Sequence, residues 1–290
     1  MKIDFCSDLH VDAWHNQTRL HDPNSRKWSG EPYESLFLYI DWREYKNPDS
    51  RVLVIAGDIS NNLITTIQVI EAASAEYEHV VVVEGNHDHY DNDMSIDHGM
   101  EFLSNQLSRL DNVHYLKDDN SFTLDGVAFF GSTGWYNFRA YEDQGISDFT
   151  AKRAWNQYSN DSRFLDFNGS TVESLAATQA INLAEQVRIA GEDESIHAIV
   201  VTTHMSPRAD LMEWKVGDIV WNTLTPSYVN TALDQVIQAD SKNKIKLWIY
   251  GHTHHRQMRE IEGVIYANNA RGYPRENPPF TLTQIDISTK

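Results

Sequence analysis

Val80-Val81-Val82-Val83-Glu84-Gly85-Asn86-His87-Asp88 is the stretch that decides the fold. A strand with one wet face alternates apolar and polar residues. Four consecutive valines do not alternate, so they read as a strand buried on both faces, as in a parallel sheet. Gly85 then lets the backbone leave sharply. An amide, an imidazole and a carboxylate follow without a spacer, which is poor helix or strand material and good site material. Taken alone, Asn86-His87-Asp88 could be an Asx-type turn.

The same grammar recurs on either side. Residues 2–6 form a strand, and Asp8 and His10 lie just past it. Residues 51–56 run into Gly57-Asp58, residues 196–203 deliver His204, and residues 246–250 deliver Gly251-His252-Thr253-His254. Helical spacing predicts helices over 33–45, 62–77, 98–110, 171–190 and 228–239. Short strands are expected at 113–116, 121–124 and 127–131, with Asp125-Gly126 as a hairpin signal. More follow at 256–261, 264–267 and 280–287, around a Glu262-Gly263 turn. Strands alternate with helices and then pair in hairpins, an α/β layout with two packed sheets of mixed direction. No linker divides the chain, so one domain over 1–290 is expected. Residues 12–32 and 134–168 lack a period and read as surface excursions, a possible cap. For the aromatic residues there and in 205–225 (Trp14, Trp28, Trp135, Tyr136, Trp155, Trp214 and Trp221), a packed cap with its own core is preferred over base stacking.

Composition narrows the class. The 290 residues are 41% hydrophobic and 23% charged, typical of a soluble globular protein. No run approaches a membrane span, and Met1-Lys2 leads at once into a strand rather than a signal peptide. A single cysteine, Cys6, excludes an internal disulfide and makes a cytoplasmic home the expectation. The formal net charge of −18 leaves no broad basic surface, so extended nucleic acid is not expected as a partner.

Polar groups thus stand at five strand ends: Asp8/His10, Asp58, Asn86/His87/Asp88, His204 and His252/His254. In open α/β sheets the ligand crevice lies at the carboxyl ends of the strands. Carboxylate oxygen, imidazole nitrogen and amide oxygen together suit borderline divalent cations such as Mn, Fe, Zn or Co. The i, i+2 spacing of Asp8/His10 and of His252/His254 would point each pair to one face if the backbone stays extended. Each cluster has an ordinary alternative: Asp58 as a helix N-cap, His204 as a hydrogen-bonded core histidine. Their joint occurrence, each after an apolar strand, is what makes a site the better reading.

The set Asp8-Leu9-His10, Gly57-Asp58, Gly85-Asn86-His87-Asp88, His204 and Gly251-His252-Thr253-His254 resembles the calcineurin-like metallophosphoesterase superfamily, with every motif position filled. The resemblance implies a four-layer α/β/β/α sandwich with a dinuclear centre at the sheet edge. It places one metal on Asp8, His10, Asp58 and His254, and the other on Asp58, Asn86, His204 and His252, with Asp58 bridging. His87 would face the substrate as catalytic residue, with Asp88 orienting its ring. The implied reaction is hydrolysis of phosphate mono- or diesters by in-line attack of a metal-bridging hydroxide, on a small, nucleotide-like substrate. A nuclease is the alternative within the family, and a non-catalytic metal-binding module the alternative outside catalysis.

Overall fold

The valine run lies in the middle of a sheet, as its composition requires. The computed structural model describes residues 1–14, 40–90, 94–117, 119–166, 169–276 and 279–287. Strands β1 (Lys2–Cys6), β2 (Val52–Ala56), β3 (His79–Val83) and β4 (Val113–Tyr115) run parallel, and β11 (Thr283–Asp286) joins β1 antiparallel. The second sheet has the order β5-β6-β7-β8-β10-β9, formed by β5 (Phe122–Leu124), β6 (Val127–Ser132), β7 (Ala198–Thr203), β8 (Ile245–Ile249), β9 (Gln257–Ile261) and β10 (Val264–Asn268). Its inner strands are parallel and an antiparallel hairpin closes each edge. Both hairpin turns have positive φ at both positions: 50° and 75° at Asp125-Gly126, 53° and 83° at Glu262-Gly263. That is the primed turn whose twist matches paired strands.

Alternate residues of each strand serve different layers. Ile3, Phe5, Val54, Val81 and Val83 meet Phe129, Val200, Leu247 and Ile249 of the other sheet. Leu53, Ile55, Val80 and Val82 face the opposite way, under Leu63 and Ile70 of the helix Leu63–Ser74 and Leu103 of the helix Ile96–Leu107. Behind the second sheet, Phe130, Ile199, Val201 and Trp248 pack on Leu183 and Val187 of the helix Gly169–Glu192 and on Val236 of Asp234–Ala239. The result is four layers, α/β/β/α. Each fully buried valine contributes about 1.5–3 kcal/mol relative to exposure, so a charged residue anywhere in the run would break the stack.

Two expectations change. The helix expected over 228–239 is interrupted: a 3-10 turn Thr225–Tyr228 ends in extended backbone, and a second one, Thr231–Leu233, precedes Asp234–Ala239. Asn230 causes the restart, because its side chain accepts from Ala232 N and donates to Ala176 O. The excursion 134–168 is not irregular surface. It contains the helices Asp148–Tyr158 and Asp161–Phe164, and buries Trp135, Tyr136, Phe138 and Trp155 in a cluster shared with Tyr90, Ile96, Met100, Val172, Ala176 and Met205, so the separate core expected of a cap is not formed. These aromatics pack the cap and do not line the cavity described below. Residue Trp28 and most of 12–32, with the first part of the helix expected at 33–45, lie outside the described residues.

Candidate metal centre

Because β1, β2, β3, β7 and β8 each end at the same edge, their exits converge. The convergence is made by strained turns and not by extended backbone. Asp8, His10, Asp58, His252 and His254 have φ of 50°, 41°, 55°, 63° and 50°, the left-handed region that non-glycine residues avoid. The i, i+2 argument therefore fails in its reason: β1 ends at Cys6 and β8 at Ile249, before either pair. Hydrogen bonds between neighbouring exits hold the turns. Asp8 N donates to Gly57 O (3.0 Å), His10 N to Asp58 O (3.1 Å) and Gly251 N to His204 O (2.9 Å). Such conformations cost of order 1–3 kcal/mol each and persist only when the surroundings over-determine them.

Gly85 is needed for space and not for a sharp exit. A Cβ there would lie 2.1 Å from Asp58 Oδ1. Gly57, at φ 78°, needs both conformation and space, since its Cβ would lie 2.5 Å from His204 Nδ1.

All seven candidate ligands come together. Asp8, His10, Asp58 and His254 form one group, and Asp58, His204 and His252 a second, with the donor atoms of each group within 4.8 Å of one another. Asp58 belongs to both. Asn86 joins the second through Oδ1, 3.0 Å from His204 Nε2. His10 Nε2 lies 2.9 Å from His254 Nε2, and Asp58 Oδ2 lies 3.7 Å from His10 Nε2 and 3.3 Å from His204 Nε2.

The donor set fits divalent cations. Asp8 Oδ2 and His252 Nδ1 are buried without a hydrogen-bond partner. His254 Nδ1 is 2.6 Å from Glu276 Oε2 and His204 Nδ1 is 2.8 Å from Ala56 O. Those partners occupy each Nδ1 and turn each Nε2 toward the centre, the usual outer support of metal-binding histidines. Burial holds the His10 and His252 imidazoles well below their ordinary range, hence neutral, the form a metal requires. Burial alone would raise the Asp58 carboxyl, but His204 beside it holds it well below the usual carboxylate range.

His87 and Asp88 part company. The His87 ring is held by Asn61, Nδ1 to Oδ1 at 2.8 Å, and leans edge-on against His10 at 4.7 Å. Asp88 does not orient it. Its carboxylate accepts from the backbone N of Asp58 (3.1 Å), Ile59 (3.1 Å), Ser60 (3.2 Å) and Gly85 (2.8 Å), and from Thr66 Oγ1 (2.6 Å). Four backbone donors converging on one point outcompete a single neighbouring imidazole. Asp88 thereby ties the exit of β2 to the exit of β3.

A cavity of about 590 Å³ opens over the centre. His87, His252 and His254 form its floor, and Asp161, Lys215 and Trp221 stand in its walls. None of Arg139, Arg153, Arg163, Arg208, Arg256 and Arg271 lines it. His89, which reads as part of a solvated turn, is 4% exposed and buried. Cys6 is buried, and burial pushes its thiol up, so it is inert. Asn61, Asp161, Tyr273 and Glu276 carry no motif. Tyr273 stacks on His10 at 4.5 Å with its hydroxyl 3.5 Å from His87 Nε2. Asn61 alone had a local signal, three residues after Asp58.

Layers, strand-edge site and donor set together define a metallophosphoesterase fold. The family model of the calcineurin-like phosphoesterases matches residues 1–256, and the chain belongs to that family. An uncharacterized protein of Acanthamoeba polyphaga mimivirus is 28% identical over 258 residues, covering 85% of this chain and 88% of that protein. A UPF0046 protein of Caenorhabditis elegans is 34% identical over 126 residues, covering 38% of this chain and 42% of that one. Among solved structures, phosphopantetheinyl hydrolase from Mycobacterium tuberculosis superposes with a TM-score of 0.69 at 15% identity, over 99% of this chain and 96% of its own. At that identity the likeness is one of fold. No helix among the described residues is long and apolar enough to cross a membrane.

Proposed function

We propose that the chain is a dinuclear metallophosphoesterase that hydrolyses phosphate mono- or diesters of small, nucleotide-like molecules. The observation that carries this reading is the pair of donor groups sharing Asp58. In it, Asp8, His10, Asp58 and His254 hold one ion, and Asp58, Asn86, His204 and His252 the other. Mn, Fe, Zn and Co suit this mixture of donors. Two such ions supply Lewis acidity for the phosphoryl oxygens and a water acidified enough to attack phosphorus in line.

The side chains do the rest. Asp58 turns Oδ2 toward both groups, 3.7 Å from His10 Nε2 and 3.3 Å from His204 Nε2, while Oδ1 accepts from His87 N at 2.8 Å. His87, held at Nδ1 by Asn61, lines the cavity, where the ring stabilises charge on the substrate or passes a proton to the leaving oxygen. Asp88 acts on the backbone that carries Asp58 and Gly85. A cavity of about 590 Å³ suits a substrate of nucleotide size. An acidic chain with no arginine among the described residues of the cavity walls disfavours a nuclease of the same family. Retention of His87 and every ligand position disfavours a non-catalytic module. The reading takes 1–290 as one cytoplasmic domain, with 134–168 as its cap.

The test is hydrolysis of p-nitrophenyl phosphate and bis(p-nitrophenyl) phosphate by Mn²⁺-reconstituted protein. We expect turnover of at least one, lost to background on chelation with EDTA and in Asp58→Asn. Full activity of purified Asp58→Asn, or activity indifferent to chelation, overturns the assignment.

A further inference from the structure

Asn86 is an amide, and an amide can face a cation with its oxygen or, uselessly, with its nitrogen. The cap decides which. Both N–H groups of Asn86 are engaged: Nδ2 donates to Asp161 Oδ1 at 2.8 Å and to Tyr90 Oη at 3.0 Å. Asp161 belongs to the cap, 75 residues further along the chain, and is 3% exposed. Its carboxylate is itself pinned, accepting from Tyr90 Oη (2.5 Å) and Tyr136 Oη (2.6 Å), and Tyr136 Oη in turn accepts from Trp155 Nε1 (2.6 Å). With both oxygens already accepting, this carboxylate presents Asn86 with an acceptor and no donor. A flipped Asn86 would set its carbonyl oxygen against that carboxylate and turn its N–H groups to the centre. With the flip forbidden, Oδ1 must face His204 Nε2, 3.0 Å away, within the second donor group.

Resting on the dinuclear reading above, we infer that Asp161 is a positioning residue for the second metal position: it locks Asn86 with its oxygen inward and so makes that position depend on the folded cap. The first group, Asp8, His10, Asp58 and His254, has no contact with Asp161 among these hydrogen bonds and is independent of it.

The experiment is calorimetric titration of apoprotein with Mn²⁺, with ions per chain counted by elemental analysis. The wild type is expected to bind two ions. In Asp161→Ala the second ion is expected to weaken by about 10–100-fold, the usual effect of removing a ligand's outer partner, while the first keeps its affinity. Tyr141→Phe removes a hydroxyl of the same segment that bonds to neither Asn86 nor Asp161, and both affinities should stay. A purely structural role would weaken both ions together or neither, and either result from folded Asp161→Ala overturns the proposal. Should Asp161→Ala fail to fold, the exchange Asn86→Asp with Asp161→Asn decides. It restores an inward oxygen with a donor behind it and should bind two ions, and a folded double variant binding one ion is a refutation. A wild type that binds fewer than two ions overturns the dinuclear reading and the proposal with it.

Discussion

His87 takes its orientation from Asn61 rather than from its own neighbour Asp88. The motif showed which residues gather at the strand ends, because polar groups there interrupt apolar runs. It could not show which oxygen each nitrogen meets, since that depends on turns whose φ is positive. Asp161, Tyr273 and Glu276 were illegible for a plainer reason: they reach the site from distant loops. Replacing His87 by Asn should lower kcat by about 10²–10⁴, the usual weight of a proton-transferring group, with the ion count unchanged. Asn61→Ala should lower kcat in the same direction by about tenfold, a lost hydrogen bond of about 1–1.5 kcal/mol. Steady-state kinetics beside elemental analysis checks both, and an unaltered kcat in Asn61→Ala would remove it from the mechanism.

Among the elements, those buried on both faces were the most legible. β2, β3 and β7 are nearly uninterrupted apolar runs because each contacts two layers. The helices Asp148–Tyr158 and Asp161–Phe164 were illegible because the aromatic residues around them are grouped by tertiary contact and follow no helical period. β4 shows a further property of an edge. His114 stacks on Phe122 at 3.6 Å and 12°, and its Nε2 lies 3.1 Å from His79 Nδ1. Burial, and then His79, lowers the His114 imidazole to about 4. In the unfolded chain it would titrate near 6.5. Between those values the unfolded chain binds more protons than the folded one, so this contribution is intact above pH 6.5 and is lost as pH falls toward 4. His114→Phe keeps the stack and removes the titration. Urea unfolding across that window should give it a shallower loss of stability than the wild type. An equal slope would mean that His114 does not set the acid limit.

At the scale of the whole molecule, five strained residues at three strand exits and a cluster of carboxylates and imidazoles are held by the two-sheet stack beneath them. Cations that bind only the folded chain should return part of that strain. At a free concentration of about 100 Kd one site adds about 2.7 kcal/mol, which for a chain of this size corresponds to roughly 5–10 °C in Tm. Differential scanning calorimetry with and without EDTA measures it, and an unmoved Tm would show that the ions gain nothing from folding. The contact between His10 and His254 spans 244 residues of chain. A ribosome makes the first of these long before the second, and any product shorter than 254 residues lacks the partner. Cation capture by this group would therefore wait until the exits of β1 and β8 have been brought together. Metal loading would then report that the two sheets have joined, a readout of assembly as well as of affinity.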